Sequence, residues 1–466
     1  MQRSRARDVA AAPVRLSFTT EALPEEVDLL ALLGGCEQRE DIVAWSRRGR
    51  GMVGWGRILA VETQGPDRVE ELRSAWRALV HASRWTDPLV RPGTGPVALG
   101  TIAFSSASRQ KSVLIVPEVL IGADARGAWV TTASLSSGSF QASSSAPSGR
   151  GGARALLGRI PPRGPSAQAP EPVPQPASVL PGALSDAEYV AAVARAQRRM
   201  AAGEARKVVL ARDVLVTPAA PLPTVRLLTR LGRDYPSCWT FAVDGMIGAT
   251  PELLVRLEGG RLTSRILAGT ARRRPNAGTA RTRTSAEQAG LSELARWLEG
   301  SVKNNREHEL ARASALTALE PLCSVVEAPE RFVITLPNVL HLASDITGVV
   351  AGDTGALSLV GALHPTAAVC GTPTPAAARI IGEVEGMDRG RYAGPVGWVD
   401  WHGEGEWCIA LRSAAVPAGG ARPGAPVRVF GGGGIMPDSD PVDELAETMA
   451  KMRPVLGALG VLGETD

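Results

Sequence analysis

The chain has 466 residues, 44% hydrophobic and 21% charged, and carries a net charge of +4. Such a composition belongs to a globular protein of one very large domain or two to three ordinary ones. The charge is small and dispersed, no basic run is interleaved with aromatics, and no apolar stretch is long enough to span a bilayer, so neither a nucleic-acid nor a membrane role is expected.

The N-terminal stretch Met1 to Arg15 is basic but lacks the apolar core of a signal peptide. Residues 14–140 read as mixed α/β. The spacing of Leu72, Trp76, Leu79 and Val80 predicts a helix over Val69 to Arg84. Val113 to Ile121 reads as a strand pair broken by Pro117. Residues 143–182 are rich in Ser, Pro, Gly and Ala and read as a flexible surface connection between an N-terminal part, 1–142, and a catalytic region, 183–466. Beyond it, Ser185 with Glu188 three residues on is a capping box for a helix to Ala202. Lys207 to Arg212, Ser237 to Val255 and Arg261 to Leu267 read as strands, and Glu287 to Leu319 as one long helix or two. There is no fixed repeat and no regular βαβ alternation, so a parallel Rossmann sheet is not indicated. The five cysteines (Cys36, Cys238, Cys323, Cys370, Cys408) form no CxxC pair, which predicts neither a zinc site nor a disulfide framework and fits a reducing, cytoplasmic compartment.

Chemistry-bearing residues concentrate in the last two thirds. After the run Gly431 to Gly434, Glu444, Glu447 and Lys451 fall at helical spacing on one face. Two carboxylates and an ammonium on one stripe suit a hard divalent cation beside an anionic substrate. Glu307, in Lys303-Asn304-Asn305-Arg306-Glu307-His308-Glu309, reads either as part of a solvated charged face or as a further carboxylate for a metal shared with Glu447. Lys207 is either a strand-end lysine with its amine in water or a desolvated base of lowered pKa. Glu252, after Ala249-Thr250-Pro251, is either a loop carboxylate or a partly buried acid of raised pKa. Ala268-Gly269-Thr270-Ala271-Arg272 reads as a small-residue turn, or as a place where backbone N–H groups meet an anion. His341 and His364 are lone histidines in apolar contexts, structural or in contact with a substrate. The glycine run lacks GK[ST] and GxGxxG contexts, which argues against a nucleotide.

Two long segments, Asp388-Arg389-Gly390-Arg391-Tyr392-Ala393-Gly394-Pro395-Val396-Gly397-Trp398 with Gly405 to Arg412, and the glycine run with its helix, resemble those of the chorismate-utilising enzymes: isochorismate, salicylate, anthranilate and aminodeoxychorismate synthases. The resemblance spans about residues 184–460. Pro24 to Leu30 and Gly51 to Gly56 are similar to actinobacterial isochorismate synthases of the menaquinone type. The resemblance implies one large α/β (α+β) domain of stacked antiparallel sheets flanked by helices, with residues 1–142 part of the same fold. It implies Lys207 as general base and Glu252 as general acid. Glu307 and Glu447 would be Mg²⁺ ligands, with Glu444 close by. Arg412 and Lys451 would hold substrate carboxylate, and Gly269, Thr270, His341, Tyr392 and Gly433 would line the pocket. Ammonia-using members usually lack a lysine at the Lys207 position, or carry one where this chain has Ala268. Water is therefore the expected nucleophile, and no glutaminase partner is expected. The implied reaction is conversion of chorismate to isochorismate, for menaquinone or a siderophore. Salicylate synthase, anthranilate synthase component I and an inactive chorismate-binding regulator stand as alternatives. Asn304 departs from the aspartate common before the metal glutamate.

Overall fold

The computed structural model describes residues 14–24, 26–136, 176–272, 285–335 and 339–461; a few side chains within these segments, including those of Thr270 and Glu307, lie outside the description. Most of 143–182 therefore lies outside the described residues too. Its last residues, Pro176–Pro181, do not fit a surface connection: they form an edge strand paired antiparallel with Val214 to Pro218. Prolines are tolerated there because an edge strand has N–H positions that need no ladder partner.

Two large sheets, of thirteen and ten strands among the described residues, stack face to face. The first contains Lys207–Pro218, the glycine strand Val427–Ile435, Ser413–Ala415, Met246–Thr250 and Trp239–Val243, and continues into the N-terminal strands Val43–Arg47 and Arg50–Trp55. The second contains Val339–Val350, Arg261–Arg272, Leu253–Glu258, Gly405–Ile409, Pro395–Asp400 and Val97–Thr101. Neighbouring strands run antiparallel, except that Leu16–Leu23 runs parallel to Arg84–Thr86. The layer between the sheets is closed by Trp45, Trp129, Trp239 and Phe241 from the first and Leu99, Ile115, Val396 and Cys408 from the second. Helices Thr224–Asp234 and Pro441–Leu459 cover the outer face of the first sheet. Helices Arg68–Ala82, Val302–Leu319 and Ala356–Leu363 cover the second.

The helix over 68–82 has its predicted face inward: Leu72, Trp76 and Leu79 are buried. The Ser185/Glu188 capping box is formed at the head of Asp186–Ala201. The long helical stretch is two helices, Ser285–Gly300 and Val302–Leu319; Ser301 between them caps the second by accepting from the Asn304 N–H. Val113 to Ile121 is not a hairpin. Ser112–Val116 lies in the second sheet and Val119–Asp124 in the first, so Pro117 marks a crossing between layers. Residues 237–255 behave likewise: two strands pair in the first sheet, and a third, Leu253–Glu258, joins the second. Among the described residues no helix is long and apolar enough to cross a membrane, and all five cysteines are free thiols.

Candidate active site

The Lys207 strand pairs with the glycine strand from Val208↔Ile435 through Val216↔Val427. The glycines give a surface that other groups approach closely. A Cβ on Gly431 would stand 2.4 Å from the Thr448 carbonyl oxygen, so the C-terminal helix backbone rests directly on the strand. One on Gly433 would stand 2.7 Å from Glu444 Oε2 and 3.8 Å from Glu447 Oε1. Both carboxylates of the predicted stripe thus reach across the glycine strand. Lys451 Nζ lies 2.6 Å from Glu447 Oε1 and donates to the Gly432 carbonyl at 2.7 Å. Asp440 caps the helix by accepting from the Val442 and Asp443 N–H groups, and Pro441 at its first turn has no N–H to satisfy. Ser439 Oγ donates to Glu444 Oε1 at 2.8 Å, which orients that carboxylate.

Two further groups sit where the chain crosses between sheets. Glu252 lies between Met246–Thr250 of the first sheet and Leu253–Glu258 of the second. Its carbonyl accepts from Ile409 N–H at 3.0 Å, and its own N–H donates to Thr250 Oγ1 at 3.3 Å. Arg412 lies between Gly405–Ile409 of the second sheet and Ser413–Ala415 of the first, with left-handed backbone, φ 48°. A non-glycine residue held there is strained, and such strain collects at functional sites. Tyr392 is buried, stacked on Phe430 at 4.8 Å.

The electrostatics tie these groups together. Protein surrounds Glu252, and burial pushes its carboxyl from 4.5 up to about 7; the cations Arg412, Lys207 and Lys451 work against that rise. Burial lowers the pKa of Arg412 and of Lys451, with Glu447 opposing in both cases. His341 is pushed down to about 4 by burial and then by Lys451 and Arg412, so it is a neutral imidazole, bonded to the Gly269 backbone. Burial holds the Tyr392 hydroxyl at about 12, protonated at any working pH. The result is a cleft with one carboxyl raised to about 7, a lysine, two further cationic side chains and a pair of carboxylates.

Gly269 is not in a turn but at a bulge inside Arg261–Arg272, between Ala268 and Thr270, with φ +78°. A Cβ there would approach the Asn304 Cβ to 3.0 Å, so the bulge abuts the first turn of the helix that carries Glu307. Glu307 lies three residues beyond Asn304 in that helix; its side chain, like that of Thr270, is outside the described residues. Thr270 is paired in register with His341. His364 is influenced by Arg68 and Arg389 instead of Arg412 and Lys451. Its Nε2 donates to the Phe104 carbonyl at 3.1 Å, and burial lowers it to about 3. It lines, with Thr366, Ser264 and Glu252, a cavity of about 230 Å³. Sequence reasoning missed Ser439. Its position just before Asp440-Pro441, a helix-start signal, is the cue that was available.

The model of the family described as "Chorismate binding enzyme" matches residues 4–460. A protein of Mycobacterium tuberculosis that carries the name MenF is 34% identical over 387 residues, covering 80% of this chain and 88% of that one. The isochorismate synthase DhbC of Bacillus subtilis is 36% identical over 304 residues, 62% of this chain and 70% of its own. The structure of MenF, the menaquinone-specific isochorismate synthase of Escherichia coli, superposes with a TM-score of 0.74 at 23% identity, over 96% of this chain and 94% of that one, a likeness of fold. The cleft between the glycine strand and the sheet crossings thus belongs to a member of the chorismate-binding enzyme family.

Proposed function

We propose that the protein is an isochorismate synthase, converting chorismate to isochorismate in the cytosol, as a menaquinone-type enzyme. The observation that carries the reading is the meeting of Lys207 with Glu252, its carboxyl raised to about 7 by burial, in one cleft that also holds Arg412 and Lys451. Chorismate brings two carboxylates, and the two cations supply counter-charge in a partly desolvated site. Water adds to C2 of the ring. Lys207 takes the proton that the water loses. The electrons of the C1–C2 double bond shift to C1–C6, those of C5–C6 shift to C4–C5, and the C4 hydroxyl departs. Glu252 delivers the proton that turns the departing hydroxyl into water. One water enters and one leaves, so the net change is an isomerisation. Both groups must then exchange protons with solvent before the next turnover.

Glu444 and Glu447, two carboxylates one turn apart facing the Gly433 notch, form an oxygen donor set that fits Mg²⁺. Glu307 is proposed as a further ligand. Bound there, Mg²⁺ would supply positive charge against a substrate carboxylate. No ammonia-supplying subunit enters this scheme. The test is turnover of chorismate with Mg²⁺ in ¹⁸O-water: isochorismate should be the main product and should carry one solvent oxygen. Anthranilate as main product with ammonium salts, or salicylate with pyruvate, would overturn the assignment.

A further inference from the structure

The Lys207 strand is paired continuously along one edge, from Val208 to Val216, by the glycine strand. Its other edge is not. Gly371–Thr372 pairs only with Lys207 and Val208, and Pro176–Pro181 pairs only from Val214 onward. Between them, the backbone of residues 209–213 meets no strand among the described residues. A buried gap of this kind would leave ladder-facing N–H and C=O groups without partners, at a cost comparable to lost hydrogen bonds.

Individual groups close the gap. The Val209 N–H donates to the Cys370 carbonyl at 2.9 Å, and the Asp213 carbonyl accepts from the Gly182 N–H at 3.0 Å. Two of the groups between them are met by side chains. Arg389 Nη2 donates to the Val209 carbonyl at 2.7 Å, and Glu385 Oε1 accepts from the Ala211 N–H at 2.8 Å. Arg389 and Glu385 are bonded to each other through Nε and Oε2 at 2.8 Å, and also through Nη2 and Oε1. Both are buried, at 4% and 1% exposure. The other arm of the guanidinium, Nη1, donates to the Val369 carbonyl at 2.9 Å, in the segment that follows Thr366 and Ala367 of the cavity beside Glu252. The Arg389 carbonyl accepts from the Tyr392 N–H at 3.0 Å, and its guanidinium lies 4.3 Å from the Phe104 ring centre.

We propose that the Glu385–Arg389 ion pair serves as a surrogate strand that fixes the Lys207 strand, the Val369 segment and the Tyr392 loop in one register, and so positions the proposed base. A buried ion pair is weak as a source of stability, since desolvation offsets its attraction. Its geometric value is higher: a planar fork that satisfies two carbonyls from different segments admits one relative placement of both. Arg389 and Glu385 are positioning residues, and neither is proposed to touch substrate.

The test uses the double variant Arg389→Met/Glu385→Gln, which leaves no unpaired buried charge and keeps an oxygen for the Ala211 N–H. Asp28→Ala, a lost cap on the Leu29–Leu32 helix, which is not packed on the Lys207 strand, serves as a control for general destabilisation. Hydrogen–deuterium exchange over residues 207–213 should speed up roughly five- to tenfold in the double variant and stay unchanged in the control, the scale of one lost hydrogen bond. Turnover should fall about 10- to 100-fold through misplacement, while chorismate KM moves less than about threefold. If the double variant does not fold, Arg389→Lys gives the same readouts, because it keeps the charge paired but cannot reach both carbonyls. Unchanged exchange over 207–213 overturns the surrogate strand whatever the reaction is. Faster exchange with wild-type turnover overturns the positioning role. The turnover arm rests on the proposed reaction, but the exchange arm does not, so a wild-type protein inert toward chorismate would count against that reaction alone.

Discussion

Glu252 sets a pH limit on this site. Its carboxyl titrates at about 7 when folded, against 4.5 ordinarily, because burial disfavours the charged form. As the proposed proton donor it must be protonated, so turnover should fall about tenfold per pH unit above about 7. The same shift acts on stability. The folded state holds the proton more tightly than the unfolded one, so this contribution is complete below 4.5 and is lost as pH rises through 7. Glu252→Gln should lower turnover by about 10²-fold or more and erase the alkaline limb; a variant that keeps the limb would remove Glu252 as its source. Lys207→Ala should also lose about 10²-fold or more, and near-wild-type turnover would show another group to be the base. At Ser439 the expected effect is on metal. Ser439→Ala frees Glu444 Oε1 from its donor and should weaken Mg²⁺ binding by about tenfold, read by calorimetry on the free protein. Equal affinity would show that the serine orients nothing.

At the level of elements, the glycine strand and the C-terminal helix act as one piece. Gly431→Ala would drive a methyl into the Thr448 carbonyl, backbone against backbone, and the helix would have to lift off the strand. Glu444, Glu447 and Lys451 all ride on that helix, so the variant should cost about 1 to 3 kcal/mol of stability and most of the turnover. A crystal structure or melt showing neither effect would mean that the packing is looser than described. Much of this piece was legible beforehand: helical spacing alone placed Glu444, Glu447 and Lys451 on one face, and the Ser185–Glu188 box announced its helix. The bulge at Gly269 was not legible. A turn and a bulge call on the same small residues, and only pairing with Val339–Val350 distinguishes them. Nor could Arg389 and Glu385 be read as a pair with a purpose, because the gap that they fill lies in a strand, Lys207–Pro218, more than 150 residues earlier in the chain.

At the scale of the whole molecule, the sequence shows where strands begin and end but not which sheet receives them. Pro117 reads as an interruption, yet it marks a passage from one layer to the other, and Pro251 lies in another such passage. The information lies in long-range packing, above all around Glu406, whose Oε2 accepts from the indole N–H groups of Trp45 and Trp239, both at 2.8 Å, and whose Oε1 meets Arg256. Trp45 and Trp239 belong to the first sheet and Glu406 to the second. Glu406→Leu would strand two buried donors and should destabilise the fold by about 2 to 5 kcal/mol, with one unfolding transition preserved and chorismate KM little changed. Two separate transitions would show the sheets to be independent units. Val119, Glu252 and Arg412 lie on or next to three of the passages that lace the layers together, and two of these residues belong to the cleft. The thickness of the sandwich and the distance from Glu252 to Arg412 are therefore one mechanical variable. Either sheet can grow at its outer edges without retuning the chemistry, whereas a bulkier filling between them acts on the reaction as directly as a change in the cleft itself.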